Sequence, residues 1–392
     1  MLKSAWYPFT CLPLLGVMAM AWDQQSVSTQ PAPPAVRAAL AASPCVKALP
    51  QGAVCAAAST RALEIISASK LEAVVVVQDV RTGALVAFAA SNPVRLDVTT
   101  PILPLSFSKV LLAASWWDNH QPDRRFDSTK GSADSKNPAY RNRVSVHDTV
   151  VGGSDSAGRQ MALALRTAVG ARKVLADFQR YGFEDRSASP LADQFWGELA
   201  PVWARRLTPA HAYVSLTADT SDTDWADAMS LGEAYMRVTA LHVSRFLQAV
   251  GNAGLMLAPV AREERPGSTV GEAMSPPRHS NYPVRVMEEA TALQLQAALR
   301  DTVQRGTASS VSQALKGTGW QMGGKTGSGP GPMPIGPESD GWFAGLVFAP
   351  DGEAQFTVAT YVRRGGFGGG NAARISAELA RYVVGGSAKT SR

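Results

Sequence analysis

Three short groups of hydroxyl and lysine side chains occur in an order that suits nucleophilic catalysis. They are Ser106-Phe107-Ser108-Lys109, Ser154-Asp155-Ser156 and Lys325-Thr326-Gly327. A serine hydroxyl becomes a good nucleophile when a neighbouring base removes its proton, and a desolvated lysine amine near other cations can act as that base. The first group supplies both partners three residues apart. The sequence therefore predicts that Ser106 is a nucleophile and that Lys109 is its base.

The residues around Ser106 predict that it lies at the N-terminus of a helix. Pro101 and Pro104 precede it, and an apolar run follows from Val110 to Ala114. Residues three apart share a helix face, so Lys109 would face Ser106. The positive helix end and a free backbone N–H would stabilise a developing oxyanion. Taken alone, this group could be a helix-capping serine followed by a solvent-exposed lysine. The order of all three groups favours a catalytic role instead.

The predicted elements run from strands through a long helical middle to further strands and a final helix. A β-branched run at residues 73–77, a turn at Arg81-Thr82-Gly83 and an apolar run at 85–89 predict a hairpin. Further strand-like runs lie near residues 319–325, 342–348 and 356–362, before a helix at 372–384. This order predicts an α+β fold in which one antiparallel sheet, built from both chain ends and flanked by helices, carries an inserted all-helical lobe.

The sequence resembles the penicillin-binding protein transpeptidases and serine β-lactamases, which use Ser-x-x-Lys, Ser-x-Asn and Lys-Thr-Gly in that order. Similarity extends over roughly residues 60–385. Landmarks that resemble the family include Tyr181-Gly182-Phe183, Ser230-Leu231-Gly232-Glu233, Asn252-Ala253-Gly254, Gly306-Thr307-Ala308 and Trp342-Phe343-Ala344-Gly345. Their joint order is more specific than any one motif.

This resemblance implies a role for each residue that matches a family motif. Ser106 would be acylated, Lys109 would activate it, and Ser154 would relay a proton to the leaving amine. Lys325 would provide positive potential, while Ser156, Thr326, Gly327 and Ser328 would contact substrate, Thr326 and Ser328 at its terminal carboxylate. The backbone N–H groups of Ser106 and Ser328 would form the oxyanion hole.

Ser156 is the main departure from the family pattern, because Asn is usual there. An amide offers both an acceptor and an NH₂ donor, whereas a hydroxyl is shorter and has one donor. Ser328 replaces a more usual Thr and keeps the hydroxyl. A helix cap is the structural alternative for Ser154-Asp155-Ser156.

The resemblance implies a D,D-transpeptidase or D,D-carboxypeptidase that acts on the D-Ala-D-Ala ends of peptidoglycan stem peptides through a Ser106 acyl-enzyme. β-Lactams would acylate it as covalent inhibitors. Two alternatives stay open: a class D-like serine β-lactamase, and a non-catalytic module that binds penicillin or cell-wall peptides. No Glu-containing motif suggests a deacylating base, although a carboxylated Lys109 would leave little trace in the sequence.

The composition argues against a disordered protein, a nucleic-acid partner and a metal site. The 392 residues are 45% hydrophobic and 18% charged, which indicates a globular protein rather than a disordered one. The net charge of +6 is not concentrated in a basic run, so no nucleic-acid partner is expected. Three cysteines and five scattered histidines show no zinc-ligand spacing. We expect neither a metal nor another cofactor.

The N-terminus predicts export. Lys3, an apolar stretch and Ala19-Met20-Ala21 suit a cleavable signal at residues 1–21. A low-complexity linker at 22–58 would precede a catalytic domain at 59–386, with an α/β lobe (59–105 and 287–386), a helical lobe (106–286) and a tail (387–392).

The protein would then be periplasmic or otherwise extracytoplasmic, or, as an alternative, anchored to the inner membrane. A Cys45–Cys55 disulfide suits an oxidising compartment. Cell-wall synthesis proteins and a peripheral contact with the inner membrane are further partners that this location allows.

Overall fold

The computed structural model describes residues 55–93, 95–98, 100–128, 142–183, 213–257, 283–330 and 337–385. These residues belong to one compact unit that spans Ala32–Arg392. The predicted signal, nearly all of the predicted linker and Cys45 lie outside the described residues.

Nine α-helices form within the described ranges. They are α1 Ala56–Ser69, α2 Ser108–Asp118, α3 Val146–Gly152, α4 Asp155–Val169, α5 Ala171–Arg180, α6 Asp222–Leu231, α7 Ala240–Gly251, α8 Glu289–Arg305 and α9 Asn371–Val383. Two 3-10 turns lie at Leu105–Phe107 and Ser309–Val311. Among the described helices, none has the length and apolar character needed to cross a bilayer.

The strands of the described ranges form one large sheet and three short two-stranded pairs. In chain order they are β1 Glu72–Asp79, β2 Leu85–Ala90, β3 Phe126–Asp127, β4 Arg143–Val144, β5 Tyr213–Val214, β6 Met236–Arg237, β7 Leu255–Met256, β8 Val284–Arg285, β9 Gln321–Gly329, β10 Asp340–Phe348 and β11 Ala354–Arg363. The large sheet has the order β2-β1-β11-β10-β9, and every pairing in it is antiparallel.

The large sheet confirms the predicted α+β class. Its first two strands form the predicted hairpin, and its other three come from the end of the chain. Val76 pairs with Ala359 of β11, Ala359 pairs with Ala344 of β10, and Ala344 pairs with Lys325 of β9. The strand that carries Lys325 is therefore an edge of the sheet.

Both faces of β1 are buried, which explains its unbroken β-branched run. Successive side chains of a strand point to opposite faces. Val74 and Val76 join the core that extends into the helical lobe, whereas Val75 and Val77 join the core under α1 and α9. Burial on both faces removes the usual apolar–polar alternation.

The helical lobe is divided by glycines that adopt left-handed backbone conformations. Within the predicted helical middle, residues 155–180 form two helices because Gly170 between α4 and α5 has φ 85°. Gly232, with φ 67°, ends α6 in the same way. Left-handed angles cost a glycine little because it has no Cβ.

The first helix begins at Ala56, three residues before the predicted start of the catalytic domain. Its N-cap residue, Cys55, is buried and disulfide-bonded. The helix packs on β1 and β2.

Candidate active site

Ser106 lies in the 3-10 turn Leu105–Phe107, directly before α2. This agrees with the predicted position at a helix N-terminus, although the first turn is tighter than an α-helix. Leu105 has φ 52°, an unusual angle for a residue with a side chain. Its N–H donates to the Gly232 carbonyl at 3.3 Å. A Cβ on Gly232 would lie 2.2 Å from the Leu105 oxygen, so only glycine permits this approach.

Lys109 faces Ser106, as the spacing predicts. Its Nζ donates to Ser106 Oγ at 3.0 Å, and the lysine is fully buried while Ser106 is partly exposed. Ser108 is buried and donates its hydroxyl to the Ser230 carbonyl at 2.9 Å. Its side chain is therefore turned into the protein, which leaves Ser106 as the accessible hydroxyl of the first motif.

Two further acceptors complete the surroundings of Lys109. Its Nζ donates to Asp155 Oδ1 and to the Ser230 carbonyl, both at 2.7 Å. Gly158 of α4 permits this packing: a Cβ there would lie 2.3 Å from Ser230 Oγ and 3.0 Å from Lys109 Cε. The first and second motifs thus meet through Asp155, the middle residue of the second.

Ser154 is the N-cap of α4, and Ala157 N donates to its hydroxyl at 3.3 Å. Its Oγ also lies 3.0 Å from Ser128 Oγ and 3.4 Å from Ser156 Oγ. Ser156 donates to the Asp127 carbonyl at 3.1 Å, which attaches α4 to β3. Ser154 therefore does cap α4, as the structural alternative predicts. Its hydroxyl also lies between those of Ser128 and Ser156, in a row that could carry a proton.

The third motif lies on edge strand β9. Lys325 is buried and donates from Nζ to the Thr326 carbonyl at 2.8 Å. Thr326 Oγ1 lies 2.6 Å from Thr307 Oγ1. Ser328 Oγ accepts a hydrogen bond from Gly368 N at 2.9 Å, so its own hydrogen is available to another acceptor.

Glycines allow β9 to pack closely against the turn that carries Ser106. A Cβ on Gly327 would lie 3.1 Å from Leu105 Cβ and 3.4 Å from the Pro104 carbonyl. A Cβ on Gly324 would lie 2.4 Å from the ring of Phe343 on β10. The third motif is therefore packed directly on the residue before Ser106.

Burial and neighbouring charges shift the pKa values of three side chains in the site. Burial, together with the charge of Lys109, lowers the pKa of Lys325 to about 7. Burial raises the pKa of Asp155, but the charge and hydrogen bond of Lys109 outweigh it, so this pKa lies below its ordinary value. Burial raises the pKa of Glu233, and the charges of Asp155 and Asp227 raise it further.

Sequence reasoning missed the acceptors of Lys109. Asp155 lies in the first turn of α4, where acidic residues are common as partners of the helix dipole, so its residue type alone does not predict a contact with Lys109. Ser230 acts through its backbone carbonyl, which any residue type would supply. Ser128 and the carboxylate of Glu233 are likewise brought to the site by the fold.

An antiparallel sheet with an inserted helical lobe and a Ser–Lys pair beneath its edge strand is the architecture of penicillin-binding transpeptidases. The family described as penicillin binding protein transpeptidase domain matches residues 73–381, and the chain belongs to it. No curated protein matches this chain in sequence.

Solved structures share the fold at low sequence identity. A peptidoglycan glycosyltransferase from Burkholderia ambifaria is 17% identical with a TM-score of 0.59, covering 84% of this chain and 92% of that one. The TP domain of Burkholderia pseudomallei penicillin-binding protein 3 is 16% identical with a TM-score of 0.59, covering 84% and 91%. Penicillin-binding protein A from M. tuberculosis, as an imipenem acyl-enzyme complex, is 16% identical with a TM-score of 0.61, covering 84% and 77%.

Proposed function

We propose that this protein is a serine D,D-transpeptidase or D,D-carboxypeptidase that acts on the D-Ala-D-Ala ends of peptidoglycan stem peptides. The observation that carries the proposal is the 3.0 Å hydrogen bond from Lys109 Nζ to Ser106 Oγ, next to a strand with Lys325, Thr326 and Ser328. A partly exposed hydroxyl beside a buried amine is the arrangement needed for nucleophilic attack.

In the acylation step, Ser106 Oγ bonds to the carbonyl carbon of the penultimate D-Ala and gives its proton to the neutral amine of Lys109. The C–N bond to the terminal D-Ala then breaks. Ser154 delivers a proton to the leaving nitrogen and regains one from Lys109. The backbone N–H groups of Ser106 and Ser328 stabilise the oxyanion, and each such donor is worth roughly 3 kcal/mol in the transition state. An amine or water then attacks the ester carbon and releases Ser106.

The third motif would bind the terminal carboxylate of the substrate. Thr326 and Ser328 would donate hydroxyl hydrogens to it, and the Gly368 N–H bond to Ser328 Oγ supports that orientation. Lys325 would add positive potential in its protonated form, to which a bound carboxylate shifts it. Ser156 donates its hydroxyl to the Asp127 carbonyl, so its predicted contact with the substrate would require that side chain to turn.

β-Lactams are expected to acylate Ser106 as substrate mimics. Two structures with this fold are described as acyl-enzyme complexes of M. tuberculosis penicillin-binding protein A, one with ceftriaxone and one with imipenem. Both are below 20% identical to this chain, so they support the proposal through the shared fold only.

The second candidate is a module that binds penicillin or cell-wall peptides without turnover. The observation that favours it is the ion pair between Lys109 and Asp155, because a lysine held as an ammonium ion cannot accept the serine proton. A serine β-lactamase differs from both candidates in releasing its acyl group quickly.

An extracytoplasmic location fits this function, and the disulfide bond of Cys55 supports an oxidising compartment. The signal at residues 1–21 and the domain boundaries stay predictions. N-terminal sequencing of the exported protein would locate the cleavage site; an N-terminus at Met1 would contradict a cleaved signal.

Labelling with a fluorescent penicillin tests the function. The wild-type protein should form a stable covalent adduct, and S106A should lose it while remaining folded. S108A is the matched control, because Ser108 is the other serine of the motif but is turned inward; it should still label. Label that persists in S106A would refute this nucleophile, and label that clears within seconds would indicate a β-lactamase.

Product analysis separates the two peptidase activities. Mass spectrometry of a pentapeptide substrate should show release of D-Ala, with or without an amide-linked product when an amine acceptor is added. An adduct with penicillin but no product from either reaction would favour the binding module.

A further inference from the structure

Lys109 is surrounded by three hydrogen-bond acceptors, which is the full complement of an ammonium ion. Ser106 Oγ lies 3.0 Å from Nζ, and Asp155 Oδ1 and the Ser230 carbonyl each lie at 2.7 Å. The lysine is fully buried, whereas the Asp155 side chain is 48% exposed. A buried charge requires a partner, and Asp155 is the anionic one that Lys109 touches.

The family usually places Asn at the position of Ser156, and here that side chain is directed elsewhere. Ser156 Oγ donates to the Asp127 carbonyl at 3.1 Å, on the side of α4 that contacts β3. Asp155, one residue earlier, supplies the side-chain oxygen that contacts the lysine. The second motif thus presents a carboxylate rather than an amide to the base.

We propose that Asp155 is a positioning residue that fixes Lys109 Nζ beside Ser106, and that its carboxylate, in contact with Lys109, governs how acylation of Ser106 depends on pH. This inference rests on the proposed function, since it concerns the base of that reaction. An amide oxygen would favour the charged form of the lysine less strongly than a carboxylate does. A carboxylate favours the charged form, and acylation must wait for the proton to leave.

Other charged groups near the pair act less directly. Lys325 of β9 faces both residues, Glu233 follows α6, and Arg159 of α4 pairs with Asp227 of α6. Charged groups on the other helices that pack near α2 are occupied with one another: His147 with Asp301, Asp148 with Arg305, and Asp177 with Lys173 and Arg180. The charge and hydrogen bond of Lys109 outweigh burial and lower the pKa of Asp155, so its carboxylate is the anion in contact with Lys109.

The test is the pH profile of penicillin acylation, measured with the full chain as a second-order rate between pH 5 and 9. D155N keeps the shape of the side chain and removes its charge. The rise of rate with pH should move to lower pH by about one unit, so that the rate at pH 6 increases about tenfold. D155E should restore the wild-type profile, because it returns a carboxylate to the same place.

D227N is the matched control. It removes a carboxylate from the same part of the lobe, where Asp227 contacts Arg159 and not Lys109. Its profile should stay within about 0.3 pH unit of wild type, because an exposed charge that does not touch the base is screened. D155S provides a second neutral variant that keeps a good helix-start residue, in case D155N folds poorly.

Each outcome decides the inference. A pH profile that lies at lower pH in D155N or D155S and at the wild-type position in D155E supports the inference. Penicillin labelling that occurs only in D155N or D155S also supports it. A profile that stays in place, whether or not the rate falls at every pH, overturns it while leaving the proposed function intact. No label on wild type or on any folded variant at any pH would overturn both.

Discussion

Ser106 Oγ accepts a hydrogen bond from Lys109 Nζ at 3.0 Å across the junction between a 3-10 turn and α2. The turn depends on a second segment, because Leu105 adopts φ 52° and donates its N–H to Gly232. Ser106 is thus positioned by two segments that are far apart in the chain. Substitutions of the glycine, serine and lysine residues around this pair should therefore change stability or penicillin labelling in distinct ways.

Gly232→Ala should damage both stability and acylation. The new Cβ would meet the Leu105 carbonyl at 2.2 Å, and φ 67° is unfavourable for alanine, so we expect a loss of roughly 3 kcal/mol in the free energy of unfolding and about 100-fold slower penicillin labelling. Gly317→Ala is the control: Gly317 also has a positive φ, of 82°, but a Cβ there would meet nothing within 4 Å, so it should lose only about 1 kcal/mol. Equal losses in urea denaturation would contradict the proposed contact.

Gly158→Ala should slow labelling by displacing Lys109. Alanine is the better helix former by about 1 kcal/mol, so any loss of stability reports the collision with Ser230 Oγ at 2.3 Å. Ser230→Ala removes that oxygen. The double variant Gly158→Ala/Ser230→Ala should therefore label faster and melt at a higher temperature than Gly158→Ala alone. Additive losses in the two single variants and the double variant would show that these positions do not interact.

Ser154→Ala should separate a catalytic role from helix capping. Ser154 caps α4, and Ser221 caps α6 by accepting from Asp224 N at 3.1 Å. Each alanine variant should lose about 1 kcal/mol of stability. Only Ser154→Ala should also slow acylation, by about 100-fold, because its hydroxyl carries the proton to the leaving group. Equal labelling rates in the two variants would leave Ser154 as a cap.

Lys325→Met should change how stability depends on pH. The pKa of Lys325 is about 7 in the folded protein and ordinarily 10.5, so the unfolded state binds more protons between these values. Below about pH 7 the folded protein bears the full cost of the buried charge. That cost declines as pH rises to 10.5.

The methionine variant should therefore be more stable than wild type by roughly 3 kcal/mol at pH 7, and this gain should shrink towards pH 10. This gain is smaller than the full cost of the buried charge because methionine cannot make the hydrogen bond that Lys325 donates to the Thr326 carbonyl. Urea denaturation at both pH values measures the difference. The same stability difference at pH 7 and pH 10 would show that Lys325 does not titrate in this interval. The variant should also lose penicillin labelling.

The sequence predicted elements whose causes are local. The run Val74–Val77 specified a buried strand, and the turn after it specified a hairpin. The spacing of Ser106 and Lys109 placed them on one helix face, since side chains three residues apart must meet there. The role of the glycines around Lys325 was not specified by the sequence, because the close neighbours of Gly324 and Gly327, Phe343 and Leu105, are brought there by packing.

The tertiary structure decided which groups surround these residues. Asp155 and the Ser230 carbonyl reach Lys109 only because α4, α6 and α2 pack together around Gly158. A backbone carbonyl is identical in every residue, and an acidic residue at a helix start is common as a partner of the helix dipole, so neither announces its role in sequence. The sequence alone predicted the fold class and the contact between Ser106 and Lys109. Packing decided that a carboxylate, and not an amide, contacts the lysine, because that contact depends on the distance between helices that are far apart in the chain.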